Sequence, residues 1–127
     1  MSTPTLIKSR RAALAVAGWV IVKYAAPATD NSVSPAAAAT DVLAGVADKQ
    51  GADAGGLLDV HLSGLSEVRL GATMASGDKF TSDANGAAVK AVGASGATHN
   101  VVGVILAPGV AGDVVACHIS PSLIKLP

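Results

Sequence analysis

The stretch Lys79-Phe80-Thr81-Ser82-Asp83-Ala84-Asn85-Gly86-Ala87-Ala88-Val89 decides the fold. Asn85-Gly86 is the strongest local hairpin signal, because both residues tolerate the positive φ that a tight two-residue turn demands. Lys79-Phe80-Thr81 then runs into the turn, and residues 87–92 return from it. Ser76-Gly77-Asp78 is a second turn just ahead. Outward from this hairpin the same grammar repeats. Residues 42–47, 57–63, 67–70, 101–106 and 114–119 are short runs of β-favouring residues, separated by Gly51 to Gly56 and by Pro108-Gly109. Strands at such even spacing predict an all-β chain. Residues 19–24 supply a first strand. Residues 25–40, which hold Pro27, Pro35 and four consecutive alanines, read as a Pro/Ala/Ser-rich loop. The fold expected is mainly β, a small β-barrel- or β-sandwich-like domain of short antiparallel strands over residues 19–127. Residues 1–18 show no clear period and are expected to form an extended N-terminal arm.

A faint repeat runs through the strands. Leu43-Ala44-Gly45-Val46 leads through a glycine turn to Asp59-Val60-His61-Leu62-Ser63. Val101-Val102-Gly103-Val104 leads through another to Ala116-Cys117-His118-Ile119-Ser120. Strand chemistry alone can generate such a match, so duplication and coincidence both stay open at this point.

Composition narrows the function. Half of the 127 residues are hydrophobic, yet Trp19, Tyr24 and Phe80 are the only aromatics. Ala and Val carry the apolar content, and each buries little area at roughly 25 cal/mol per Å². A core built this way is thin and gains from burial against other subunits. Nine basic and nine acidic residues cancel. No cationic excess is present to neutralise a phosphate backbone, and three aromatics build no base-stacking platform, so nucleic acid is not an expected partner.

Ser9-Arg10-Arg11 followed by the apolar residues 12–22 imitates a secretory signal, with Ala26-Pro27-Ala28 as a cleavage region. Lys23 and Tyr24 interrupt it, and residues 19–24 favour β-structure. The apolar run also falls short of the ~20 residues that span a bilayer, so no membrane partner is expected.

Catalytic and metal chemistry find no footing. His61, His99 and His118 match no metal-ligand spacing. Asp48, Asp53 and Asp59 flank a glycine loop without the calcium-loop spacing or its closing Glu, and read as turn formers. Gly51 to Gly56 lacks the Gly-Lys-Ser/Thr of a phosphate loop. Cys117, the single cysteine, is a small hydrophobe in a strand, and its neighbour His118 points to the opposite face. No enzyme activity and no cofactor are expected. Lys8, Arg10 and Arg11 form the one cationic cluster, suited to an arm that orders on an acidic partner surface. Removing residues 1–14 is then expected to weaken partner binding more than folding. Trp19→Ala is expected to cost about 3–5 kcal/mol if the ring is buried in a core or an interface.

Residues 40–120 resemble the small head decoration (cement) proteins of tailed bacteriophages. The residues that carry the resemblance are Thr40-Asp41-Val42-Leu43-Ala44-Gly45-Val46, Gly55 to Gly64, and Val68 to Asp78. Thr81 to Val89, Val102-Gly103-Val104-Ile105 and Ala111-Gly112-Asp113-Val114 continue it. The first 40 residues lie outside it. The resemblance implies a β-barrel-like module, often a homotrimer, on the exterior of an icosahedral head, where it bridges major capsid protein subunits and stabilises the expanded shell. On that view Lys8, Arg10, Arg11 and Trp19 are the capsid-binding residues. The alternative is another virion or surface module, such as a head fibre or an adhesin-like barrel.

Overall fold

A computed structural model describes residues 3–25, 30–92 and 98–125. Ala26-Pro27-Ala28 and most of the loop before His99 lie outside the described residues. Nine strands are present and no helix among the described residues: β1 (Thr3–Arg11), β2 (Ile21–Tyr24), β3 (Val33–Pro35), β4 (Leu43–Ala47), β5 (Leu57–Arg69), β6 (Lys79–Ser82), β7 (Ala88–Lys90), β8 (Thr98–Ile105) and β9 (Val114–Lys125). They form one antiparallel sheet in the order β3-β2-β4-β5-β9-β8-β6-β7, with β1 paired to β5. The chain is mainly β, as its turn grammar predicts.

The expected hairpin is there. Thr81 faces Val89 and Ser82 faces Ala88. The Asp83 Oδ1 caps the turn, accepting the Asn85 N–H at 2.8 Å and the Ala87 N–H at 3.0 Å. Other aspartates do the same work. Asp78 accepts the Ala75 N–H, Asp113 the Val110 N–H, and Asp41 the N–H groups of Ala37 and Ala38. A short carboxylate that satisfies its own turn is the local reason these loops close.

The two runs 57–63 and 67–70 are one long strand, continuous through Gly64. Within the Pro-rich loop, Val33–Pro35 is a short edge strand on β2, a place where proline's missing N–H is tolerated. Most consequentially, the segment expected as an arm for a partner is extended but lies on the chain itself. β1 runs antiparallel to β5 from Thr3↔Leu65 to Arg11↔Leu57.

The faint repeat is a complete structural duplication. Ala12 bridges Val33 in parallel as Leu70 bridges Ala88, and Val16 bridges Ala52 as Met74 bridges Gly109. The Gly55 N–H donates to Ala12 O at 2.7 Å, and the Gly112 N–H to Leu70 O at 2.8 Å. Gly45 and Gly103 occupy twin places, where an added Cβ would strike the carbonyl oxygens of His61 and His118 respectively. The second half of β5 therefore serves the second unit as β1 serves the first: Gly64–Arg69 pairs with Val114–Ile119.

The cores repeat too. Ala12, Val16, Val22, Val33, Ala47, Leu58 and Val60 form one cluster. Their counterparts Leu70, Met74, Phe80, Ala88, Ile105, Val115 and Cys117 lie in the other. This second core also takes in Ile21, Ala36 and Val46 from the back of the first unit. The two units thus share one wall, so the halves are expected to fold together.

Candidate interaction surface

The strand register sets where the cations point. Lys8 stands opposite Val60 and Arg10 opposite Leu58, both buried, whereas Arg11 stands opposite the exposed Leu57. Residues directly across an antiparallel ladder share a face, and alternate residues change face. Lys8 and Arg10 therefore rim the first core, and Arg11 lies on the other side of the sheet. The structure does not gather the three into one patch. Arg11 also acts within its own chain. Hydrogen bonds from the Ser32 hydroxyl (2.6 Å) and N–H (2.9 Å) hold the Asp30 carboxyl below its usual value, and the Arg11 charge adds to this. Arg10 is half-buried, and its Nε is a buried donor with no hydrogen-bond acceptor among the described residues.

Trp19 lies apart from these cations, in the turn before β2. Its N–H donates to Ala47 O at 3.2 Å, and its carbonyl accepts the Arg69 N–H at 3.0 Å. Among the described residues it is the sole non-glycine with positive φ, at 62°. Its twin in the second unit is Gly77, at φ 91°, whose N–H donates to Ile105 O. Left-handed backbone is strained for a bulky side chain, at a cost of about 1–3 kcal/mol. The ring is only half-buried, so the full cost expected of a core tryptophan does not apply to the isolated chain. Because glycine relieves the backbone and alanine does not, Trp19→Gly should be more stable than Trp19→Ala by about 1 kcal/mol. Urea unfolding of the two variants checks this, and an alanine variant at least as stable would remove the strain.

His61 is tied into the fold. His61 Nδ1 and the Ser66 Oγ lie 2.6 Å apart, and Nε2 faces the Asp48 carboxylate at 3.7 Å. Its twin His118 is exposed, and no three His, Cys, Asp or Glu residues among those described group to hold a metal ion. Burial, with the Glu67 charge beside it, pushes the Cys117 thiol up to about 12, so it stays protonated at neutral pH and is a poor nucleophile. No helix among the described residues is long and apolar enough to cross a membrane.

One concave feature was not legible in the sequence. A mainly apolar slot of about 430 Å³ opens between the start of β4 and the end of β9. Val42 to Gly45 form one wall, Pro121 to Leu123 the other, and Asn100 to Val102 with Ile119 the floor. It exists because β4 and β9 take successive parts of the same β5 edge, Val46↔His61 and then Ile119↔Gly64, and splay apart beyond them.

No family model and no curated protein matches the chain. Among solved structures, it is similar to the head fibre gp8.5 N base of bacteriophage phi29, with a TM-score of 0.65 and 22% identity over 91% of this chain and 93% of that one. At that identity the likeness shows the fold alone, and its 91% coverage takes in most of the N-terminal stretch that the decoration-protein resemblance left unmatched.

Proposed function

We propose that this chain is a non-enzymatic structural protein of a tailed-phage virion, attached to the outer surface of the head as a homotrimer. The observation that carries the proposal is the shared fold with a phage head fibre base across nearly the whole of both chains. The chemistry agrees: His61 faces Ser66 and Asp48, Asp41, Asp78, Asp83 and Asp113 close turns, and the thiol is buried. A trimer of a duplicated chain displays six similar β-units, which suits a surface built from repeated capsid subunits and lets modest contacts add.

Two forms of attachment fit. As a cement protein the trimer bridges neighbouring major capsid protein subunits and stabilises the expanded shell. As a fibre base it sits on one capsomer and carries a projection, the form favoured by the phi29 likeness. Mixing the purified chain with undecorated expanded capsids and imaging them by electron microscopy separates these. Density spanning capsomer boundaries, with a raised capsid melting temperature, supports cement. Density confined to capsomer centres supports a fibre base. A bare shell at saturating protein would overturn both.

A further inference from the structure

The two ends of the chain carry the same strand. Thr3-Pro4-Thr5-Leu6-Ile7-Lys8 opens β1, and Ser120-Pro121-Ser122-Leu123-Ile124-Lys125 closes β9. Pro, Leu, Ile and Lys recur in order, and Thr is exchanged only for Ser. The second half of β5 holds β1's place in the second unit, Ser66 pairing Cys117 as Lys8 pairs Val60, and the second half of β9 extends that series while carrying the sequence of β1 itself.

Both strands have an edge to offer. β1 pairs with β5 along one side, and no strand among the described residues pairs with the other. The end of β9 pairs with β8, Ser122↔Val101 to Lys125↔Thr98, and its other edge borders the slot. Such edges are normally blunted by charge, because they template pairing with another chain. Here Lys8 and Arg11 charge one end of β1, but beside them large apolar side chains stand exposed: Leu6 and Ile7 are each 45% exposed, Leu123 66%, and Val42 across the slot 55%.

We infer that copies of this chain join end to end, β1 of one copy lying in the slot of the next and pairing antiparallel with its Ser120–Lys125. Equivalent edges of like strands meet naturally in an antiparallel pair. A register with Ile7 opposite Leu123 sets Lys8 opposite Ser122 and keeps Lys8 and Lys125 at opposite ends. Parallel pairing in step would place the two lysines side by side, where like charges repel. The slot then receives the aliphatic side chains of β1. Because head meets tail, the contact is heterologous and closes into a ring when the rotation allows.

Resting on the self-association proposed above but not on capsid attachment, this predicts a complementation pattern. Leu6→Lys and Leu123→Lys each place a charge on one exposed edge, so both should fold with unchanged circular dichroism. Sedimentation velocity should show each variant's self-association weakened by at least about tenfold, because a lysine must be desolvated in the slot. A mixture of the two should recover a dimer through the one intact pair of edges, but nothing larger. A synthetic peptide of residues 3–11 should dissociate wild-type assemblies. Wild-type chain that assembles and variants that assemble equally well would overturn the interface while leaving the oligomer standing. A Leu6→Lys defect with no Leu123→Lys defect would replace it with a β1-to-β1 contact. Wild-type chain that stays monomeric at every concentration would remove both the interface and the proposed trimer.

Discussion

Phe80→Ala should lower the free energy of unfolding by about 3–5 kcal/mol. Phe80 is the only phenylalanine, and it is fully buried among Leu70, Met74, Ile105 and Cys117. Alanine and the stiff, β-branched valine and isoleucine fill most of the rest of this core, so Met74 is the neighbour whose long, flexible side chain could swing into the space. A domain of this size holds only about 5–15 kcal/mol in total, so the variant should sit near the edge of stability at room temperature. The twin substitution, Val22→Ala, removes less volume from the first core and should cost less. Because Ile21, Ala36 and Val46 of the first unit line the second core, damage to either unit should lower one shared transition instead of producing two. Urea titrations followed by circular dichroism measure both points. A loss for Phe80→Ala under about 1.5 kcal/mol would mean that the ring is not packed as described, since such truncations cost at least twice that in a tight core. Two separated transitions would mean that the shared wall does not couple the halves.

The parts of the fold that were legible in the sequence are those whose signal is local. Asn85-Gly86 announced its turn because positive φ is a property of the dipeptide itself, and Gly86 does adopt φ 76°. β8 and β9 carried enough valine and isoleucine to stand out. β1 did not, because an edge strand has little reason to alternate. Leu6, Ile7, Lys8, Ser9 and Arg11 are all exposed, so its pattern resembles that of an unstructured arm. The duplication was half visible for a related reason. The twin hydrogen bonds are made by backbone, which constrains side chains only where space is lacking. Gly45 and Gly103 match because a Cβ would strike a carbonyl at either place. Trp19 and Gly77, Val22 and Phe80, and Arg10 and Val68 share positions but no chemistry. The cationic cluster was misleading in the same way. Lys8, Arg10 and Arg11 are neighbours along the chain, yet once the segment is a strand, its pleat divides them between two faces. The slot lies between segments some 80 positions apart in the chain, Val42 to Gly45 and Pro121 to Leu123, and no local pattern marks it.

Deleting residues 1–11 should destabilise the fold by roughly 2–4 kcal/mol, whereas the sequence-based expectation for residues 1–14 put the larger loss on partner binding. β1 covers the edge of β5 from Leu57 to Leu65, and Lys8 and Arg10 lie over Val60 and Leu58, which are 0% and 4% exposed. Burying an aliphatic side chain is worth roughly 1.5–3 kcal/mol. Two such side chains partly uncovered give the expected loss, since the lost ladder is largely offset by the freedom that β1 regains. The aliphatic stems of Lys8 and Arg10, on the same face as these side chains, add to that packing, and the Arg10 Nε is itself buried. The deletion should also change how the chain associates. A bare β5 edge is a template for another strand, so the truncated protein should lose ordered end-to-end assembly and gain irregular, concentration-dependent aggregation. Thermal unfolding combined with light scattering reads both effects. The double variant Lys8→Ala with Arg11→Ala separates the cations' charge from the strand itself: it should keep the fold and assembly, and any weakening of capsid binding would then belong to charge alone. A truncated chain that melts like wild type and stays dispersed, but no longer binds capsids, would instead return residues 1–11 to the role of a detachable binding arm.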